Sequence, residues 1–287
     1  MGSFRALSLA GVIALGAIGS ASAADLLPPA PPVEAPIMAP ADFGGWYLRA
    51  DAGVGATQIS DLRSSFMPGF IVDNPRFESK SLSEVGTFGF GVGYQFNSWF
   101  RGDVTAEYRT PAEYLAVQSY GPLFCGAGRC YDGYRGNVQS GVFMANGYVD
   151  LGTWAGFTPY VGVGVGLAHH RMKDLTDTSI VPTGGVGFAP STTTTNFAWA
   201  VMAGASYSLT SNLKLDLGYR YLDMGKITTA SIGCQGAPAC GYEVQSFKVA
   251  SHDFRLGLRY MFSDFGAGPI MASAPMYSRP GPLVRKY

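Results

Sequence analysis

Twelve charged residues occupy every second position of segments whose alternate positions are apolar. The cations are Arg49, Arg101, Lys214, Arg220, Arg255 and Arg259; the anions are Asp51, Asp103, Glu107, Asp150, Asp216 and Asp253. Paired carboxylates could serve acid–base chemistry. Here they are spread along the chain beside an equal number of cations and converge on no nucleophile or base, so the pattern points to ion pairing, not catalysis. The chain contains no G-x-S-x-G element, and it is read as a non-enzyme. Four cysteines form two close pairs, Cys125/Cys130 and Cys234/Cys240. In an exported chain they would oxidise; three connectivities exist, and pairing within each couple is the expected one. Each small ring would contribute on the order of 2 kcal/mol, mostly by shaping a loop tip. Zinc is the rival reading, but the spacings miss the C-x₂-C form. His169 and His170 are neighbours, and on a strand they would point to opposite faces, a poor chelating pair. No metal and no cofactor is expected.

The elements that must position these charges are strands. From Asp253 to Phe262, one face carries Phe254, Leu256, Leu258, Tyr260 and Phe262, and the other Asp253, Arg255, Gly257, Arg259 and Met261. A period of two is the mark of a β-strand. Seven more such segments occur, near 46–56, 84–96, 100–108, 143–151, 161–168, 199–207 and 213–221. Long polar stretches (57–82, 109–137, 169–196 and 222–248) separate them at one end, and connections of a few residues at the other. Trp46, Trp99 and Trp154 fall at the short-turn end, where an interfacial aromatic girdle would lie.

The ends place the chain in the envelope. Arg5, an apolar run from Ala6 to about Gly19 and the Ala21-Ser22-Ala23 site read as a cleaved signal peptide over residues 1–23. Residues 24–42 hold six prolines and read as a stiff periplasmic linker. Residues 43–262 form the barrel segment, and 263–287, with four more prolines and a basic end, read as a flexible tail that could contact peptidoglycan. The chain is 47% hydrophobic and only 14% charged, yet no mature segment has 18 unbroken apolar residues, which argues against membrane helices. A net charge of zero gives no sign of a nucleic-acid partner.

These observations predict an all-β fold: an eight-stranded antiparallel up-and-down transmembrane β-barrel with four long extracellular loops, its oily stripes facing lipid. A one-residue slip would turn Arg255 and Arg259 toward acyl chains, at about 2–4 kcal/mol each at mid-membrane, so the register is strongly specified. The six cations and six anions then share the interior. Strands near 88–96, 161–168 and 199–207 line it mostly with small residues, leaving room for long side chains from the opposite wall. Eight strands enclose just enough space for side chains to fill, so a plugged, salt-bridged lumen is expected.

The chain resembles the small outer-membrane barrel family of alphaproteobacteria, which includes surface antigens and haemin-binding proteins and is similar to the transmembrane domain of outer membrane protein A. The resemblance spans residues 43–262. It is carried by Gly45-Trp46-Tyr47-Leu48, by the run from Thr158 to Gly166, by Leu217-Gly218-Tyr219-Arg220-Tyr221 and by the run from Ser251 to Phe262. It implies an integral protein of the Gram-negative outer membrane, in contact with outer-membrane lipid and lipopolysaccharide and delivered by the barrel-insertion machinery. It also implies a structural component that stabilises the envelope and displays surface loops. A narrow diffusion pore, and an adhesin or haemin-binding protein that meets a host surface, are the alternatives. Family members end on a terminal aromatic; here Phe262 is followed by 25 residues.

Overall fold

The computed structural model describes residues 44–66, 72–121, 128–181, 185–234 and 243–262. The expected signal peptide, linker and C-terminal tail lie outside these residues, as do Cys125 and Cys240. The described chain forms eleven strands: β1 (Gly45–Phe66), β2 (Arg76–Leu82), β3 (Val85–Gln95), β4 (Phe100–Tyr120), β5 (Cys130–Asp150), β6 (Phe157–Val181), β7 (Val186–Ala189), β8 (Thr192–Ser208), β9 (Leu213–Thr228), β10 (Gly233–Cys234) and β11 (Glu243–Met261).

Eight of them close a ring, in the order β1, β3, β4, β5, β6, β8, β9, β11 and back to β1, with every pair antiparallel. The closing seam runs from Tyr47↔Met261 to Phe66↔Glu243. Closure leaves the ring without an unpaired edge, the condition for backbone in hydrocarbon. The short strands β2, β7 and β10 pair onto β4, β6 and β7 and build up the outer rim.

The lower part of the barrel has its oily face outward. Leu48, Val54, Phe88, Phe90, Val104, Phe143, Val163, Leu217, Phe254 and Leu256 are all exposed. Tyr47, Arg49, Asp51, Arg101, Asp103 and Asp253 on the alternate positions are buried.

The strands run further than the alternation predicts. β6 spans 25 residues, whereas a tilted crossing needs about 9–11. Most of the segments 109–137 and 169–196, expected as loop, are strand. Two physical changes hide this. Above the bilayer the outer wall faces water, so the oily-outside signature stops although pairing continues. Irregularities also reset the alternation at one level: between Ser60 and Arg63 in β1, where Asp61 has φ 48°; between Arg109 and Ala112 in β4; at Asp174 in β6, φ 54°; and at Gly225 in β9, φ 75°. Such bulges turn the following side chains to the other face.

Around and above that level the interior is a hydrophobic core. Tyr114, Val138, Met172, Leu222, Met224, Ile227, Phe247 and Val249 are buried together, and Tyr114 stacks on Phe247 with centroids 5.1 Å apart and planes within 3°. The barrel is thus oily outside and ionic inside within the membrane, and oily inside beyond it.

Candidate functional site

The lumen is the densest collection of functional side chains. β9 and β4 stand half a ring apart, and their charges meet at the centre. Arg220 Nη2 donates to Glu107 Oε1 at 2.7 Å and Oε2 at 2.8 Å, and to Asp253 Oδ2 at 2.6 Å. Arg109, which the sequence reading assigned to a loop, grips Asp253 with two bonds of 3.0 and 2.9 Å and reaches Glu107 at 3.0 Å. Ser251 Oγ accepts from Arg109 Nη2 at 2.6 Å. The signal for Arg109 was available: it continues the odd-numbered inward series of Arg101, Asp103, Thr105 and Glu107.

A second layer lies toward the short turns. Arg255 binds Asp51, with Nε 2.8 Å from Oδ1. Arg49 Nη1 donates to Asp103 Oδ2 at 3.0 Å and to the Tyr148 hydroxyl at 2.8 Å. Arg101 pairs with Asp150 at 3.1 Å, and its guanidinium lies 4.2 Å from the Tyr148 ring and 4.7 Å from the Tyr160 ring. Those ring faces serve the otherwise unpaired Nη1 and Nη2 by cation–π attraction. Arg259 Nη2 donates to Ser206 at 2.8 Å and Asp216 at 3.2 Å.

Eleven of the twelve expected charges therefore sit in ion pairs, and Lys214 is the exception. It is half-buried at the start of β9 and forms no ion pair among the described residues. Its register partner is Arg259, which takes the neighbouring Asp216.

The expectation that ionic side chains from one wall fill space left by glycines opposite needs correction. The occupants are mainly side chains of adjacent strands. A Cβ on Gly162 would come within 2.5 Å of Tyr148, and one on Gly204 within 2.6 Å of the Tyr160 hydroxyl. These glycines admit tyrosines that act as lids on the arginines. Within the lumen a cavity of about 20 Å³ lies among Arg49, Asp51, Tyr148 and Arg220, room for about one water.

The model for the outer membrane protein beta-barrel domain matches residues 11–262. The chain belongs to this family. An uncharacterised protein of Brucella abortus (strain 2308) is 34% identical over 276 residues, covering 85% of this chain and 94% of its own. Outer membrane protein PagN of Salmonella typhimurium is 30% identical, covering 76% and 90%. A putative adhesin of Rickettsia bellii (strain OSU 85-389) is 25% identical, covering 77% and 90%. The protein is an integral outer-membrane barrel of the Gram-negative type, as the resemblance implied.

The remaining expected positions of this outer-membrane barrel protein separate by end. Trp46, Trp99 and Trp154 project outward at the short-turn end, where Trp46 meets Tyr94 edge-on at 5.4 Å and Trp99 packs on Phe100. His170 points inward, accepting from the Ser140 hydroxyl at Nδ1 (2.7 Å) and donating from Nε2 to the Met224 carbonyl (3.1 Å). His169 points outward to Thr195. Cys130 is disulfide-bonded; its expected partner Cys125 lies outside the described residues, as do Cys240 and the Cys234 side chain.

The mouth holds a site that periodicity did not reveal. The Tyr134 hydroxyl lies 2.7 Å from Glu243 Oε2 and 2.8 Å from the Gln118 side-chain amide, and Ser179 donates to Asp132 at 2.9 Å. Burial pushes Asp132 and Glu243 above the usual carboxylate range. Burial, with Asp132 and Glu243 nearby, pushes Asp177 up to about 8. These residues lie in stretches predicted as loop, so no alternation pointed to them.

Proposed function

We propose that this outer-membrane barrel is a closed structural element, which stabilises the envelope and carries surface loops on a wall that continues beyond the bilayer. The observation that carries this reading is the Arg220–Glu107–Asp253 bridge across the ring, with the Tyr114–Phe247 core above it. Together they fill the bore at two heights. Outward tryptophans at the short-turn end fix the depth in lipid. Delivery would use the barrel-insertion machinery, and the basic tail would contact peptidoglycan. Planar-bilayer recording of the purified full chain is the test: no steady conductance is expected, and a large, stable single-channel current would replace this reading with the diffusion pore.

A second reading is supported by the putative Rickettsia adhesin among the relatives and by strands such as β6 that hold the loops well clear of the membrane. The loops would then bind a host surface. Expression in a non-adherent bacterium followed by counting bound cells tests it, and exchange of the segments between β1 and β2 and between β4 and β5 should abolish any gain.

A further inference from the structure

The lipid-facing wall formed by β3, β4, β5 and β6 is grooved. An upper groove of about 800 Å³ and a lower one of about 610 Å³ share Phe90, Ala106 and Phe143 and form one slot. Its floor follows from the register. Gly141 falls between Tyr108 and His169 on one outward row. On the next row Ala106 falls between Phe90 and Phe143, and Ala145 continues the floor below. Barrel packing does not demand the glycine: a Cβ at Gly141 would lie 3.9 Å from its nearest neighbour, the Glu107 carbonyl oxygen.

The top of the slot is cationic. His169, Arg171 and Lys173 climb the outward face of β6 at alternate positions. Arg171 and Lys173 form no ion pair among the described residues, whereas the nearby carboxylate Glu113 is already held by Arg135 at 2.5 Å. Asp174 follows only past the bulge. Gln139, the register partner of Arg171, donates to the Tyr108 hydroxyl at 3.2 Å, which fixes the rim. An apolar channel at acyl depth thus ends beneath two unpaired cations at headgroup height.

We propose that this slot seats one molecule of the phosphorylated, multi-acyl glycolipid of the outer leaflet, lipid A. One acyl chain lies over Gly141, Ala106 and Ala145, and a phosphate meets Arg171 and Lys173. This goes beyond bulk solvation by lipid, because it names a site with defined stoichiometry on one wall. It does not depend on whether the lumen conducts.

The full chain is reconstituted in phosphatidylethanolamine vesicles containing equal amounts of phosphatidylglycerol and lipid A, extracted in mild detergent and weighed by native mass spectrometry. One retained lipid A per barrel is expected. Gly141→Leu, which fills the slot, and Arg171→Glu, which reverses the phosphate contact, should each lower retention roughly tenfold, as loss of one charge-assisted or fully seated contact implies. Ala203→Leu, on the exposed face of β8 outside the slot, should leave it unchanged, and the heat-dependent gel shift confirms that each variant is folded. The proposal is overturned if no lipid A is retained, if all three variants retain it equally, if phosphatidylglycerol is retained as well as lipid A, or if the slot is occupied by a second barrel.

Discussion

Arg220 and Glu107 face each other from strands on opposite sides of the ring, and one guanidinium nitrogen lies within 2.8 Å of both carboxylate oxygens. The pair spans the bore. Asp253 and Arg109 complete a four-membered cluster in which each charge has at least one opposite partner. Such a cluster need not add net stability over a packed apolar interior, because desolvation offsets attraction. Its physical consequence is specificity: the walls are tied at one register.

Removing one member should therefore cost more than removing a pair. Glu107→Gln leaves Arg220 and Arg109 short of an anion and should destabilise by about 3–5 kcal/mol. The readout is a lower temperature at which the compact band on an unheated gel converts to the unfolded one. The double variant Glu107→Leu, Arg220→Met should recover part of that loss. Equal behaviour of the single and double variants would show that the cross-ring contact carries no coupling.

The upper core should be separable from the ionic layer. Phe247→Ala removes the ring stacked on Tyr114 and should cost about 3–5 kcal/mol, as for other buried aromatics. Conductance should nevertheless stay absent, since the Arg220–Glu107 bridge still crosses the bore. A channel appearing in this variant would mean that the apolar layer alone closes the barrel.

Glycines of the wall should differ sharply in tolerance. A Cβ at Gly166 would meet the carbonyl oxygen of Phe143 and the backbone of Met144, whereas at Gly141 it meets nothing closer than 3.9 Å. Gly166→Ala should destabilise by about 1–3 kcal/mol through overpacking, while Gly141→Ala stays near the parent. Both are read from urea titrations of tryptophan fluorescence in detergent.

The mouth should loosen as pH rises. Asp177 is held up near 8 by burial and by Asp132 and Glu243, well above its value in an unfolded chain, about 3.9. An acid whose folded value is raised contributes fully only below the unfolded value, and that contribution is lost as pH climbs toward the folded one. Hydrogen exchange around Thr176–Thr178 and Val186–Gly187, which pair there, should therefore accelerate between pH 5 and pH 8 beyond the intrinsic base-catalysed increase. Asp177→Asn should abolish that excess. A parent protein with no excess would remove the mouth carboxylates from consideration.

The amino-acid pattern alone determined which way side chains look inside the bilayer. A period of two leaves only two assignments per strand, and lipid forbids the one that exposes Arg255, Arg259 or Asp253, so Phe254 and Leu256 had to lie outside. Pairing among the inward charges was not readable, because it depends on strand order, stagger and closure. Nothing local to Arg220 says that its partner lies 113 residues away on the opposite wall. The upper barrel was hidden for a different reason. At Asp61, Thr110–Pro111, Asp174 and Gly225 the chain inserts residues that turn the following side chains over, and outside the membrane water, not lipid, sets the penalty. Tyr114 and Ile227 face inward only because such an irregularity precedes them, whereas Met172 and Phe247 keep the parity of the lower strand and lack only the oily outer face that would have marked it.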